Sequence, residues 1–96
     1  MSEIEFQQSI EDIVKKYIQN YKISIIERRQ NTASSLDTTL AVVFKDGSIT
    51  EDLLRELILF QINSDNRNSI SFETSREINN LDYEVIIFKA EIFYIF

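Results

Sequence analysis

The residues of this sequence with the clearest capacity for chemistry are its carboxylic acids. Among 96 residues there are 16 aspartates and glutamates and 10 lysines and arginines, which gives a formal net charge of −6 at pH 7. Two carboxylates can hydrolyse a glycosidic bond when they converge in one cleft with separated pKa values. Glu84 and Glu91 are the candidates, because they lie in an otherwise apolar C-terminal run where burial would shift a pKa. A cross-strand ion pair is the simpler account, so we expect no catalytic acid or base.

Two adjacent cations, Arg28 and Arg29, form the second candidate site. Neighbouring guanidinium groups can grip a carboxylate or a phosphate. The same pair also suits the edge of a sheet, where charge discourages aggregation, and we favour that interpretation. Lys89 lies among apolar residues and is a candidate amine of depressed pKa. A lysine that extends its ammonium group to water is the simpler expectation.

Other kinds of chemistry are excluded by residue types that the sequence lacks. There is no histidine and no cysteine, so the commonest general base, the commonest metal ligand and thiolate chemistry are missing. The single glycine, Gly47, is too few for a glycine-rich phosphate loop. Residues 63–68 are polar but contain one acid and lack the spacing of a calcium-binding loop. We therefore expect no enzyme activity, no cofactor and no metal site.

The acidic balance also bears on partners and location. Nucleic-acid affinity depends on lysine and arginine, so direct nucleic-acid binding is not expected. An acidic surface that mimics nucleic acid is an alternative to one that simply keeps the protein soluble. The N-terminal Met-Ser-Glu-Ile-Glu lacks the basic region of a signal peptide, and no apolar run reaches the roughly 18 residues of a membrane span. We expect a cytoplasmic protein without membrane contact.

A first helix is predicted over residues 3–21. Ser2 and Glu5 fit a capping box at its start, and the order of acids before lysines complements the helix dipole. The apolar and aromatic residues that recur at helical spacing are Phe6, Ile10, Ile13, Val14, Tyr17 and Tyr21. The tyrosines suit either a binding stripe or the core, and we favour the core.

Two strands and a second helix follow. Strands are predicted over residues 22–30 and 38–45, joined as a hairpin by a long, mobile loop at 31–37. A turn at Gly47 precedes a helix over 51–62, capped by Ser48 or Thr50. The wide apolar face of this helix comprises Leu53, Leu54, Leu57, Ile58 and Phe60. We expect it to be covered on more than one side, by the first helix or by a partner chain.

The last two strands complete the fold class. Residues 69–78 alternate as a half-solvated strand, Asn79-Asn80 makes a turn, and residues 83–96 form a central strand. The chain is thus predicted to be one α+β domain over 1–96, with two helices on one face of a four-stranded, mainly antiparallel sheet in the order α-β-β-α-β-β. Phe72 is predicted opposite Phe88, which also sets Arg76 against Glu84.

The C-terminal residues predict self-association. One side of the last strand carries Ile92, Tyr94 and Phe96, which we expect to lie under the helices. Phe93 and Ile95 face the other way, and a two-fold copy of the chain is the simplest cover for them. The alternative is that the first helix crosses to that face.

The function that these features favour is a small non-enzymatic binding module. An inhibitor, immunity factor or adaptor would act through an apolar or acidic surface, as a homodimer with a further protein partner. The interface candidates are Phe93, Ile95, Arg28 and Arg29. The alternative is a small enzyme or ligand-binding domain that uses carboxylates or the arginine pair.

Overall fold

The computed structural model describes residues 2–45, 49–64, 69–77 and 83–93, the third range by its backbone alone. It has the predicted α+β class, with two helices and an antiparallel sheet. The elements are α1 (Glu3–Val14), β1 (Tyr21–Thr32), β2 (Ser35–Lys45), α2 (Glu51–Asn63), β3 (Ser69–Glu77) and β4 (Tyr83–Phe93). The predicted turns at Gly47 and Asn79-Asn80, and the predicted strand residues 94–96, lie outside the described residues.

Helix α1 begins as predicted but ends earlier. The Ser2 hydroxyl accepts a hydrogen bond from the Glu5 N–H at 3.1 Å, which is the capping half of the predicted box. The helix ends at Val14 rather than at 21, in a tighter turn where the Tyr17 N–H bonds the carbonyl three residues back at 3.0 Å. Tyr21, predicted on the apolar face of this helix, is instead the first residue of β1, and from there it packs against the core.

The connection between β1 and β2 is short, and the predicted loop over 31–37 is wrong. The strands continue to a two-residue turn at 33–34, where Thr32 pairs with Ser35. The Thr32 hydroxyl accepts from the Ser34 N–H at 3.2 Å and bonds the Ser35 hydroxyl at 2.7 Å. On its other side β2 is paired by β4 as far as Phe93, which lies opposite Ser35. Residues 35–37 of this polar segment are therefore extended because β1 and β4 supply backbone partners on both sides.

The strands pair antiparallel in the order β1-β2-β4-β3, which makes β2 and β4 the inner strands. Phe72 lies opposite Phe88 and Arg76 opposite Glu84, as the predicted register requires. An irregularity in β1 between Ile25 and Glu27 places Ile26 in a bulge. Because a bulge adds one residue to one strand, it exchanges the faces on which alternate residues of β1 lie.

Both helices pack on one face of the sheet, which we call the covered face; the other is the open face. Helix α1 contributes Phe6, Ile10 and Val14 to the core, and α2 contributes Leu53 and Leu57. The sheet residues in the same core cluster are Leu40, Val42, Phe44, Ile86, Phe88, Ala90 and Ile92. The prediction that both helices lie on one face is confirmed, and α1 does not cross to the other.

Polar contacts hold the helices in place on the covered face. Glu3 of α1 accepts from the Arg28 Nε at 2.8 Å and from the Thr38 hydroxyl at 3.2 Å. Thr50 caps the start of α2, where its hydroxyl accepts from the Leu53 N–H at 3.2 Å. Within the described chain, neither helix is long and apolar enough to cross a membrane.

Candidate interaction surfaces

Helix α2 is apolar on two opposite sides. Leu53 and Leu57 face the core with 0% and 1% of their surface exposed. At 3.6 residues a turn, Ile58, Leu59 and Ile62 point the other way, and they are 48%, 50% and 71% exposed. Spacings of three and four residues make these side chains neighbours along the outward side. We call these three residues the α2 patch.

The first turn of α2 is polar and borders the α2 patch. Arg55 precedes Ile58 and Leu59 by three and four residues, so it lies on the same outward side. Its guanidinium contacts Glu51 at 3.5 Å and Asp52 at 3.7 Å. Two carboxylates around one guanidinium leave an excess of negative charge. The outward surface of α2 is therefore acidic at its start and aliphatic towards its end.

The contact between α1 and α2 fixes the direction of the α2 patch. The Tyr17 hydroxyl donates to Glu56 at 2.5 Å, and the Lys16 ammonium contacts the same carboxylate at 3.1 Å. The hydrogen bonds from Tyr17 and Lys16 lower the pKa of Glu56, and the bond to Glu56 raises the pKa of Tyr17. Glu56 thus faces α1 in its ionised form, and the α2 patch faces away from the body of the domain.

The open face of the sheet has an apolar centre. Ala41 lies opposite Ile87, and Val43 opposite Val85, on the two inner strands. Ala41 is buried and the other three are half-buried, yet none belongs to the core cluster or to the partly buried apolar residues packed against it. We call these four residues the apolar centre. No helix of the described chain lies over them.

Charged residues of the open face differ between its two ends. Beside the β1–β2 turn, an open depression of about 430 Å³ forms the charged end, whose ionisable residues are Glu27, Arg29, Asp37, Lys89 and Glu91. The Asn31 side-chain amide donates to Glu91 there. At the opposite, basic end, Lys22, Lys45 and Tyr83 line a second depression of about 820 Å³. Among the side chains that line the two depressions, three carboxylates therefore lie at one end and two lysines at the other.

The structure separates the two predicted arginines, whereas Arg29 and Phe93 lie on the same face of the sheet, at the end beside the β1–β2 turn. Arg28 lies on the covered face against Glu3, whereas Arg29 lines the charged end of the open face. They do not form one anion-binding pair. Phe93 is half-buried opposite Ser35, beyond Glu91 on the open side of β4. Ile95 lies outside the described residues.

The two candidate carboxylates also lie apart. Glu84 is buried, 6% exposed, on the covered side of β4, and Glu91 lines the depression on the open side. They do not share a cleft, so the arrangement needed for a two-carboxylate hydrolase is not formed by this pair. Lys89 is exposed, as predicted.

The basic end was not predicted from the sequence. Of the α2 patch, only Ile58 was among the residues predicted for the apolar face of the second helix. Lys22 and Lys45 belong to different strands, and only the pairing of Lys22 with Val43 and of Lys45 with Tyr83 brings them to one end. For α2, the signal was the unbroken apolar run over 57–60, which no single helix face accommodates.

Across the described ranges, no three acidic groups lie close enough to hold a metal ion. Compared with models of protein families and with curated protein sequences, the chain matches none.

Proposed function

We propose that the protein is a small non-enzymatic binding module that acts through the α2 patch and the acidic first turn beside it. The observation that supports this proposal is the outward exposure of Ile58, Leu59 and Ile62, from 48% to 71% of each side chain. These three residues do not contribute to the core, since α2 packs on the sheet through Leu53 and Leu57, which are buried. An inhibitor, immunity factor or adaptor would use such a surface to cover a site on another protein.

The geometry suits insertion of a helix face into an apolar groove. Anchors three and four residues apart on one helix are the usual contacts in that mode of recognition. Burying a large aliphatic side chain completely contributes about 1.5–3 kcal/mol. The three residues are already partly buried, so a partner would gain only part of this free energy from each. Little of it would be spent on ordering the helix, because the contacts of Glu56 with α1 hold α2 in place before binding.

The negative charge beside the α2 patch indicates which partner surface would be complementary. Glu51 and Asp52 outnumber Arg55 at the start of the outward surface, and the whole chain carries a net charge of −6. A complementary partner presents an apolar groove with lysine or arginine at the rim. Rim charges mainly accelerate association, so we expect the association rate to fall as salt is added.

Site-specific photo-cross-linking in the cells that express the protein tests this proposal. A photoreactive residue replaces Ile62 in the α2 patch, and in a matched variant it replaces the exposed Gln8 on α1. We expect one discrete adduct at position 62 and none at position 8. A second substitution, Leu59→Gln, should abolish the adduct while the circular dichroism spectrum stays unchanged.

The mass and sequence of the adduct decide the outcome. A partner peptide rich in aliphatic residues and flanked by lysine or arginine supports the proposal. Equal cross-linking at positions 62 and 8, or an adduct that Leu59→Gln leaves intact, contradicts it. An adduct of two copies of this chain contradicts it as well, because the α2 patch would then serve self-association.

A ligand-binding domain is the second candidate function, and the charged end of the open face favours it. Its depression of about 430 Å³ is within the size range of small-molecule sites. A small anion would contact Arg29 and Lys89 there, against the repulsion of the three carboxylates in the same depression. Calorimetric titration with phosphate and with malonate tests this. Binding that Arg29→Gln removes would support the ligand site, and absence of heat would refute it.

A further inference from the structure

We infer that the open face is covered by a second copy of this chain, stacked so that the basic end of each copy lies over the charged end of the other. This inference concerns a different surface from the α2 patch. It agrees with the predicted dimer in using the side of β4 that carries Phe93.

The apolar centre is the first reason. In a two-layer domain the open side of an antiparallel sheet is usually polar, since it faces water. Here the paired residues Ala41 and Ile87, and Val43 and Val85, occupy the middle of that side. Two sheets that pack face to face lie about 10 Å apart and interdigitate such side chains. A second open face therefore provides a matching surface for this centre.

The size of the sheet is the second reason. The four strands have 12, 11, 9 and 11 residues. With strands about 4.8 Å apart and about 3.3 Å per residue, such a sheet covers roughly 700 Å². Stable protein interfaces bury about 800 Å² on each partner. One open face against another thus reaches nearly the area that a specific dimer requires, before any contact outside the sheet is added.

The distribution of charge selects the orientation. A two-fold axis that lies in the interface and runs across the strands exchanges the two ends. It places Lys22 and Lys45 of each copy over the end that holds Glu27, Asp37 and Glu91 of the other. Arg29 and Lys89 lie among those carboxylates. Counting only the side chains that line the two depressions, they offset two of the three negative charges and leave one to meet two lysines. An axis along the strands would instead stack lysines on lysines, which like-charge repulsion disfavours.

Sedimentation velocity over a range of protein concentrations gives the first test. We expect the wild type to dimerise. Ile87→Lys, in the apolar centre, should weaken the dimer at least about tenfold, because it places a charge in the buried middle of the interface. The matched control is the triple variant Ile58→Gln, Leu59→Gln, Ile62→Gln, which removes the α2 patch and should dimerise as the wild type does.

Charge exchange gives the second test, on side chains at the ends of the open face. Variant A carries Lys22→Glu and Lys45→Glu, and variant B carries Asp37→Lys and Glu91→Lys. Each variant alone should dimerise more weakly than the wild type, since both of its ends then have the same sign. An equal mixture of A and B should recover association as a heterodimer.

Cysteine cross-linking tests the orientation directly, because the chain has no cysteine of its own. Lys45→Cys and Asp37→Cys are prepared as separate proteins and treated with a short bismaleimide. The inferred stack joins the two proteins to each other in preference to either with itself.

A wild type that stays monomeric at high micromolar concentration would overturn the inference. So would a dimer that tolerates Ile87→Lys, one that the α2 triple variant abolishes, or Lys45→Cys linked mainly to itself. None of these results except loss through the α2 triple variant bears on the proposed binding function, so the two failures can be told apart.

Discussion

The two faces of the sheet are built from alternate residues of the same strands, yet only one is buried by the chain itself. On β4, Ile86 and Phe88 are 0% and 1% exposed, while their neighbours Val85 and Ile87 are half-buried. All four of these neighbouring residues are apolar. What differs is the layer above them, since α1 and α2 both pack on the covered face. An apolar residue of β4 is thus fully buried on the side that the helices cover and only half-buried on the other side.

The polar residues show the same division. On the covered face Arg28 and Thr38 both contact one carboxylate, Glu3, so their role is to attach α1 to the sheet. On the open face the charged residues gather at the ends, around an apolar centre that no described helix covers. The polar contacts of the covered face thus join a helix to the sheet, whereas the charged residues of the open face lie around an apolar centre without a helix above it.

The largest expected effect compares neighbouring apolar residues of β4. Phe88→Ala should lower the free energy of unfolding by about 3–5 kcal/mol, because it opens a cavity beneath the helices. Ile87→Ala should lower the free energy of unfolding by about 1 kcal/mol when it is measured at low protein concentration. Urea unfolding measures both, and Phe88→Leu with Ile87→Val replaces the pair if Phe88→Ala does not fold. Similar losses at the two positions would show that the open face is as tightly packed as the covered face.

A smaller effect compares the adjacent arginines. Arg28→Ala removes the ion pair with Glu3, in which the two side chains are 61% and 19% exposed. A partly solvated pair contributes up to about 1 kcal/mol, and Glu3→Gln should produce a similar loss that is not additive with it. Arg29→Ala should leave the unfolding free energy unchanged and alter only association. The comparison breaks if Arg29→Ala destabilises the monomer more than Arg28→Ala.

The smallest effect is a pH dependence of the helix contacts on the covered face. The Tyr21 hydroxyl donates to Glu11 at 2.9 Å, which raises the tyrosine pKa above its ordinary 10.0. Tyr17 is raised in the same direction by its bond to Glu56. A raised pKa means that the native state favours the proton, so this stabilisation is complete below about pH 10 and is lost as the pH rises through the raised values.

The stabilisation that Glu56 contributes to the same contact depends on pH in the opposite direction. The pKa of Glu56 is lowered by Tyr17 and Lys16 from an ordinary 4.5, so its stabilisation is present above that pH and is lost as the pH falls through the lowered value. Melting temperatures across the pH range, compared with those of Tyr17→Phe, measure the loss of stability at alkaline pH and at acid pH. If Tyr17→Phe leaves the alkaline loss unchanged, that loss is assigned to Tyr21. If it leaves the acid loss unchanged, Tyr17 does not lower the pKa of Glu56.

Much of the fold could be predicted because its causes are local. A period of two in β4 assigns Ile86, Phe88, Ala90 and Ile92 to one side. Ser2 as a cap, and Phe72 opposite Phe88, follow from hydrogen-bonding capacity and from the pairing of compatible side chains. Each of these depends on residues adjacent in sequence or in register.

What the tertiary structure alone decided has non-local causes. The bulge at Ile26 determines that Arg28, and not Arg29, faces α1, and nothing in the sequence around it marks the extra residue. In the segment predicted as a loop, residues 35–37 are extended beside β4, a strand some fifty residues later that reaches Phe93 beside Ser35. The position of the first helix is of the same kind. The sequence allowed it either on the Ile92 side of β4 or across on the Phe93 side, and the packing of Phe6, Ile10 and Val14 into the core places it with α2 on one face.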